Sequence, residues 1–458
     1  MRSSLFATAA ALYYSVQGAH LKRRQEGNTR FTLGEIQNES FQGHDASNAF
    51  IKAHLKYGDT VPLQMSRALE RNPELRSRFA AMSRLRDGTQ RGTVPSTSPA
   101  KYDSEFSVPV QIGTPPQTIP LNLDTGSADL WVFSSETYIS LVRGQTIYHP
   151  ENSSTSHLVP GHSWQVKYGD GAGASGIVYK DKVQVGGSHF DDQAVQAAIT
   201  VSAEISNDSF TAGILGLANS GVNTIRPTRQ RSYIDNVKDL LEEPLFTANL
   251  QKGAPGNYNF GYINKTEYKG DIQYAQVNPS SPYWEVTLGG YQVGDDGFYK
   301  RRSLNAIVDT GTSLLLLPAD IVYDYYRQIP DSGLDLKLGV ITYPCNATAP
   351  DFYFGVGPYR GRIPGDYINY AKVDSKYCYG GIQTSKGMPF SVIGDVALKA
   401  QFVVFNYERG VRDCDCVWTF VFRIVFWFSA GVCLLRFAED YGEGEIVSGD
   451  EVEVLGYL

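Results

Sequence analysis

The chain has 458 residues, with 41 Lys and Arg against 48 Asp and Glu, a net charge of −7, and 29 Tyr and 22 Phe within a hydrophobic share of 42%. That length exceeds what one small core serves and suits two lobes, and 45 Gly with so many aromatics fit a mainly β enzyme better than an intracellular α/β one. Five cysteines without a Cys-x-x-Cys pair exclude a zinc ribbon and a dithiol redox motif.

In chain order, residues 1–19 carry Arg2, an apolar LFATAAALYY run and the small residues Gly18 and Ala19, the layout of a secretory signal. A buried N-terminal helix would not need the charged start. Residues 20–99 are rich in Arg and Lys, poor in aromatics, and close on GTVPSTSP, which reads as a prosegment with its linker. From residue 22 to 91 there are 13 basic against 8 acidic residues, whereas from residue 100 onward there are 27 against 40. A basic segment ahead of an acidic body implies that charge attraction holds it over an acidic cleft and that acidification loosens it.

From residue 100 the pattern is mostly strand: FSVPVQI, SWQVKY, VYKDKVQVGG, YWEVTLGGYQVG and KAQFVVFN alternate or run apolar between Gly, Pro, Asn and Asp turns. Helices are expected only over residues 233–242 and 318–328. The central feature is LNLDTGSADLWV at residues 121–132, repeated as AIVDTGTSLLLL at 306–317. Each apolar strand ends in Asp-Thr-Gly, delivering a carboxylate to a turn where Gly126 or Gly311 lets backbone N–H groups approach it. Asp124 and Asp309, 185 residues apart, therefore belong to different lobes and can face one another across a cleft. Between them, WQVKYGDGAGASG at 164–176 reads as a strand entering a glycine-rich hairpin tip. It contains a formal dinucleotide fingerprint, but IVYKDKVQVGG after it is another strand, not the helix whose N-terminus would face a pyrophosphate. The seven histidines include no His-Glu-x-x-His, and no Gly-x-Ser-x-Gly occurs.

The paired triplets, together with AGILGLA and SVIGDVALKAQFVVFN around Gly216 and Gly394, resemble the pepsin family of aspartic endopeptidases, most closely its fungal secreted members; IPGDYI, YCYGGIQ and APGNYNFGYIN agree with these in order and spacing. The resemblance spans residues 106–406. It implies a mainly β, two-lobed pepsin-like acid protease fold with pseudo-twofold symmetry and a central cleft, with an N-terminal lobe over 100–285 and a C-terminal lobe over 286–440. Asp124 and Asp309 become the catalytic pair. Gly126, Gly311 and Thr312 contact substrate and carboxylates, while Thr125, Thr310 and Ser127 brace the turns; their hydroxyls also serve the turn backbone itself. Tyr168, Gly169 and Asp170 form the flap, with Trp131 holding the flap tyrosine, or serving as plain core. Asp170 would accept a Lys before the cut, although Ala172 replaces the flap serine of many relatives. Lys56-Tyr57 matches the Lys-Tyr pair that reaches the carboxylates in the latent form, and Lys56 reads equally as a solvated lysine. A Cys345–Cys378 disulfide is implied, and export is compatible with the Asn-x-Ser/Thr sites at Asn38, Asn152, Asn207, Asn264 and Asn346.

Two like charges a few ångströms apart hold one proton between them over a range of acidic pH, so one Asp serves as base and one as acid in a water-mediated hydrolysis, as established for aspartic proteases as a class. The expected protein is a secreted, glycosylated, monomeric zymogen. It would act on protein and peptide substrates with bulky apolar residues flanking the cut, without cofactor, metal or nucleic acid and away from membranes. The alternatives are a pepsin-fold binding protein that lost catalysis and a membrane-anchored protease. The last stems from residues 411–433, an insert with Cys414, Cys416, Cys433 and the run CVWTFVFRIVFWFSAGVC, which separates QFVVFN from LLRFAED at 434–440, the expected closing strand. The run is long enough to span a bilayer, yet Arg423 in its middle is costly there. A translated intron, starting at Val411, is the other reading. Residues 441–458 are an acidic tail.

Overall fold

The computed structural model describes residues 29–38, 45–58, 60–84, 106–167, 173–407 and 418–420, all within one compact unit that extends to residue 425. The signal reading at 1–19, the hairpin tip at 168–172, most of the insert and the acidic tail lie outside the described residues.

An eight-stranded sheet builds the first lobe. Phe106–Ile112 and Gln117–Asp124 form an antiparallel hairpin whose apolar alternation buries Val108, Val110, Ile119 and Leu121 on one face. Gly213–Gly216 then lies parallel to the end of the second strand, with Asp124 opposite Gly216, and antiparallel to Leu130–Phe133. A strand thus threads between the chain entering the Asp-Thr-Gly turn and the chain leaving it. The second lobe repeats this with Ser391–Ile393, parallel to Lys300–Val308 and antiparallel to Leu315–Leu317. Gly216 and Gly394 mark the crossings, and a Cβ on either would overlap a backbone carbonyl of the facing turn, Ser127 or Thr312. The pseudo-twofold arrangement thus follows from two copies of one apolar strand pattern.

A second sheet of thirteen strands runs across the molecule, from Phe31–Gly34 through Ala254–Phe260, Leu245–Gln251 and Val403–Asn406 to Glu285–Val293, Lys300–Val308 and the second-lobe triplet. Its middle is packed by aromatics: Phe246 stacks on Phe405 with centroids 4.5 Å apart, and Trp284 meets Phe405 edge-on at 5.0 Å. Within this sheet Trp418–Phe420 of the insert occupies the place between Val403–Asn406 and Ala275–Val277, with Thr419 opposite both Asn406 and Gln276. Residues 434–440, the closing strand expected from the sequence, lie outside the described residues.

The two expected helices are present in shorter form, Tyr233–Val237 continued by a single 3-10 turn, and Ala319–Tyr326. Three further helices, α1 (Ala46–Tyr57), α2 (Leu63–Arg71) and α3 (Pro73–Arg84), fall in the basic segment read as a prosegment, for which no elements are read from the sequence. Asp45 caps α1 by accepting from the Asn48 N–H at 3.1 Å, and Phe50, Ile51, Ala53, His54 and Tyr57 give it a buried face. α2 turns Met65 and Ala68 onto Gly339, and α3 buries Leu75. The disulfide Cys345–Cys378 ties Ile341–Pro344 to Tyr377–Gly380 in a small four-stranded sheet of the second lobe.

Candidate active site

Asp124 ends the strand Gln117–Asp124 and Asp309 directly follows Lys300–Val308, so the parallel crossings bring both carboxyl groups to the junction of the lobes. Both are buried. The Gly126 N–H donates to Asp124 Oδ1 at 2.8 Å and the Gly311 N–H to Asp309 Oδ1 at 2.9 Å. A Cβ on Gly126 would overlap Asp309, and one on Gly311 would overlap Asp124, so each carboxylate lies against the other turn's glycine.

The threonines lock the turns together. Thr125 Oγ1 donates to the Val308 carbonyl at 2.9 Å and accepts from the Thr310 N–H at 3.0 Å; Thr310 Oγ1 donates to the Leu123 carbonyl at 2.8 Å and accepts from the Thr125 N–H at 3.1 Å. Four bonds across the lobe interface fix the separation of the carboxylates far more tightly than side-chain packing would. Thr312 donates to Asp309 Oδ2, and the buried Ser127 hydroxyl beside Asp124 likewise favours the charged form of that carboxyl, although its geometry is short of a full hydrogen bond.

Lys56, at the end of α1, lies between the carboxylates, its Nζ 3.1 Å from Asp124 Oδ1 and 3.1 Å from Asp309 Oδ2. Tyr57 donates its hydroxyl to Asp309 Oδ2 at 2.7 Å and sets its ring edge-on to Tyr283 and Phe390, at 5.6 and 5.4 Å. Burial pushes Asp309 up, but the Lys56 ammonium and the Thr312 and Tyr57 hydroxyls outweigh it and hold the carboxyl below its ordinary range. For Asp124 burial wins: Lys56 opposes the rise, and the neighbouring Asp309 carboxylate adds to it. Burial would strip the proton from Lys56, yet the two carboxylates hold its pKa above the ordinary lysine value. An ammonium between one low and one raised carboxyl is the charge pattern expected of a pair that prefers to carry a single negative charge.

His157–Lys167 and Gly173–Val185 pair antiparallel as a hairpin, and Tyr168, Gly169 and Asp170 lie outside the described residues. Within the hairpin, Trp164 stacks on the buried Trp131 with ring centroids 6.1 Å apart. Trp131 belongs to a small core with Phe133, Val166 and Ala174, as its reading as core expects, while its expected partner Tyr168 lies outside the described residues. Sequence reasoning missed Tyr283 and Phe390, since neither belongs to a recognisable motif and only the fold brings them together, 5.9 Å apart. Among the described residues no cluster of His, Cys, Asp and Glu could hold a metal, and no helix is long and apolar enough to cross a membrane.

The profile of the eukaryotic aspartyl protease family matches residues 105–411. The chain belongs to that family. This aspartic protease is 44% identical to endothiapepsin of Cryphonectria parasitica over 382 residues, 83% of this chain and 88% of that one. It is 39% identical to aspergillopepsin-1 of Aspergillus oryzae over 406 residues, 89% and 97% of the two chains, and 45% identical to penicillopepsin-2 of Penicillium janthinellum over 312 residues, 68% and 77%. The crystal structure of the aspartic proteinase from Irpex lacteus shares the fold, with a TM-score of 0.56 at 20% identity, covering 69% of this chain and 94% of that one.

Proposed function

We propose that the chain is the latent precursor of an acid endopeptidase whose catalytic pair is Asp124 and Asp309, and that residues 20–99 are its prosegment. The observation that carries this is the Lys56 ammonium bridging both carboxylates while Tyr57 bonds to Asp309. A cation there neutralises the pair and takes the volume that a water and a scissile carbonyl would need. Residues 100–285 and 286–440 are the two lobes that meet at the pair.

Once α1 leaves, the two carboxyl groups share one proton. The ionised member takes a proton from the water between them as its oxygen attacks the carbonyl carbon, and the protonated member hydrogen-bonds the carbonyl oxygen. The Gly126 and Gly311 N–H groups keep the carboxylates in place through this exchange. Return of a proton to the nitrogen breaks the C–N bond. Because one carboxyl must stay protonated, the activity belongs to acidic pH.

Tyr57 also supports a preference for bulky apolar residues. Its ring sits against Tyr283 and Phe390 beside the pair, the place a side chain next to the cut would take. Secretion is supported by the pattern of residues 1–19 and by the Cys345–Cys378 disulfide, which persists in an oxidising compartment.

The test is digestion of a denatured protein by the acidified full chain, with and without a statine-type inhibitor. Asp124→Asn and Asp309→Asn should each lower the rate by roughly 10²–10⁴-fold with unchanged folding. Retention of near-full activity by either variant would end the two-carboxylate reading.

A further inference from the structure

α1 carries a second titratable side chain that the mechanism does not use. His54 lies one helical turn before Gly58 and is fully buried, packed against the Phe50 ring with centroids 4.3 Å apart. Its Nδ1 is 3.1 Å from the Phe50 carbonyl, to which the neutral ring donates. Its Nε2 makes no hydrogen bond of normal geometry, although it faces the Lys386 backbone in the second-lobe loop that packs on the end of α1. Gly58 touches the Gly387 carbonyl of the same loop, so His54 sits within the seam between α1 and the second lobe.

We propose that His54 is the acid-responsive release element of the prosegment: docked, it must be neutral, and its protonation expels α1 from the second lobe and so withdraws Lys56 and Tyr57 from the catalytic pair. This rests on the reading of α1 as the block of a latent form, and deepens it.

The surroundings explain why. On its own helix the charged neighbours are Lys52, which is exposed, and Lys56. From the second lobe comes Lys386, also exposed. All are cations. Among the described residues no carboxylate acts on the ring, and only the Phe50 and Lys386 carbonyls favour its charged form. Burial outweighs them and pushes His54 down to about 4. Released into water, the same imidazole titrates near 6.5.

The sign follows from proton binding. Above pH 6.5 both states hold a neutral ring and docking is undisturbed. Between 6.5 and 4 the released segment binds a proton that the docked one refuses, so docking weakens throughout that window and no further below it. The docking equilibrium falls by about two orders of magnitude between pH 7 and pH 4. His54 thus begins to act near neutrality, whereas loosening by carboxylate protonation acts in the more acid range where carboxyl groups ordinarily titrate.

The experiment follows conversion of the full-length precursor against pH for the wild type, Lys56→Ala and His54→Gln. Gln keeps a donor for the Phe50 carbonyl and cannot charge, and His54→Leu serves as a second neutral variant should Gln disturb folding. The pH of half-conversion should fall by about one unit in the neutral variants, since two orders of magnitude of docking are then spread over roughly two carboxylate protons. The pH profile of the converted enzyme, which has lost residue 54, should not move. A half-conversion pH unchanged in the His54 variants, with Lys56→Ala converting at a higher pH than the wild type, would overturn the role of His54 and leave the block intact. The same half-conversion pH for the wild type and Lys56→Ala would overturn the block, and His54 with it.

Discussion

Asp129, five residues after Asp124, is 1% exposed and its Oδ1 accepts from Asn223 Nδ2 and from the Thr224 N–H, both at 2.8 Å. Burial pushes this carboxyl up to about 6 from 3.8, against the pull of the Thr224 and Gln196 groups that favour its charge. A folded-state pKa above the unfolded one means that the native protein holds a proton the unfolded chain has lost. Stability is therefore greatest below about pH 4, declines as pH rises to 6, and is flat above, with an upper cost of roughly 3 kcal/mol. Asp129→Asn keeps an oxygen for both donors and cannot ionise, so its urea midpoint should change less between pH 4 and pH 7 than that of the wild type. Identical pH dependence in the two proteins would place the sensitivity elsewhere. The sequence shows Asp129 only as part of a strand-entering turn, because its burial depends on residues 223–224, nearly a hundred positions away. Asp124 and Asp309 were legible for the opposite reason: a carboxylate presented by an Asp-Thr-Gly turn is a local construction, and it occurs twice.

The elements divide in the same way. Strands were readable wherever period-two alternation buries one face, as in Phe106–Ile112, whereas the crossings at Gly216 and Gly394 were readable only through the family likeness of AGILGLA and SVIGDVALKAQFVVFN. Helix α1 was not, since only some of its apolar positions face the core and the basic residues dominate the composition of the segment. Its stability is tertiary, drawn from Phe50, Ile51 and Tyr57 against the two lobes. The pairing of Cys345 with Cys378 came from family likeness, and the structure adds that it joins neighbouring strands across a sequence separation of 33. A closed loop of that size restricts the unfolded chain by roughly 3–4 kcal/mol. Cys378→Ala with Cys345→Ala should lower unfolding stability by about that amount. The carboxylate pair lies in different elements and should keep its geometry, so the specific activity at 25 °C is expected to persist. Loss of activity at a temperature where the variant remains folded would show that the small sheet positions the cleft as well as stabilising the second lobe.

Across the whole molecule, the thirteen-strand sheet couples the lobes, and one of its internal places is filled from an insert with no counterpart in the family pattern. Trp418–Phe420 pairs with Ala275–Val277 on one side and meets Val403–Asn406 through Asn406 and Thr419 on the other. Those three residues can offer only a short ladder. Joining Gly410 to Leu434 would instead set LLRFA after a four-residue connection, Tyr407 to Gly410, of the length that antiparallel hairpins use. The resulting strand would be longer, and it carries apolar residues at Leu434, Leu435 and Phe437 for the sheet to bury. The same deletion removes three cysteines and a run of aromatics that would otherwise expose apolar surface. A chain lacking residues 411–433 is therefore expected to fold, to be latent at neutral pH and active after acidification, and to unfold at higher urea than the full chain. Both readings of the insert make an observable difference here. If it is a membrane anchor, the deletion should move the protein from a detergent-extracted fraction to a soluble one while leaving its urea midpoint unchanged. If it is translated intron, the spliced transcript lacks those codons and the shorter chain is the more stable. Failure of the shorter chain to fold would mean that Trp418–Phe420 is the proper closing strand and that residues 434–438 cannot replace it.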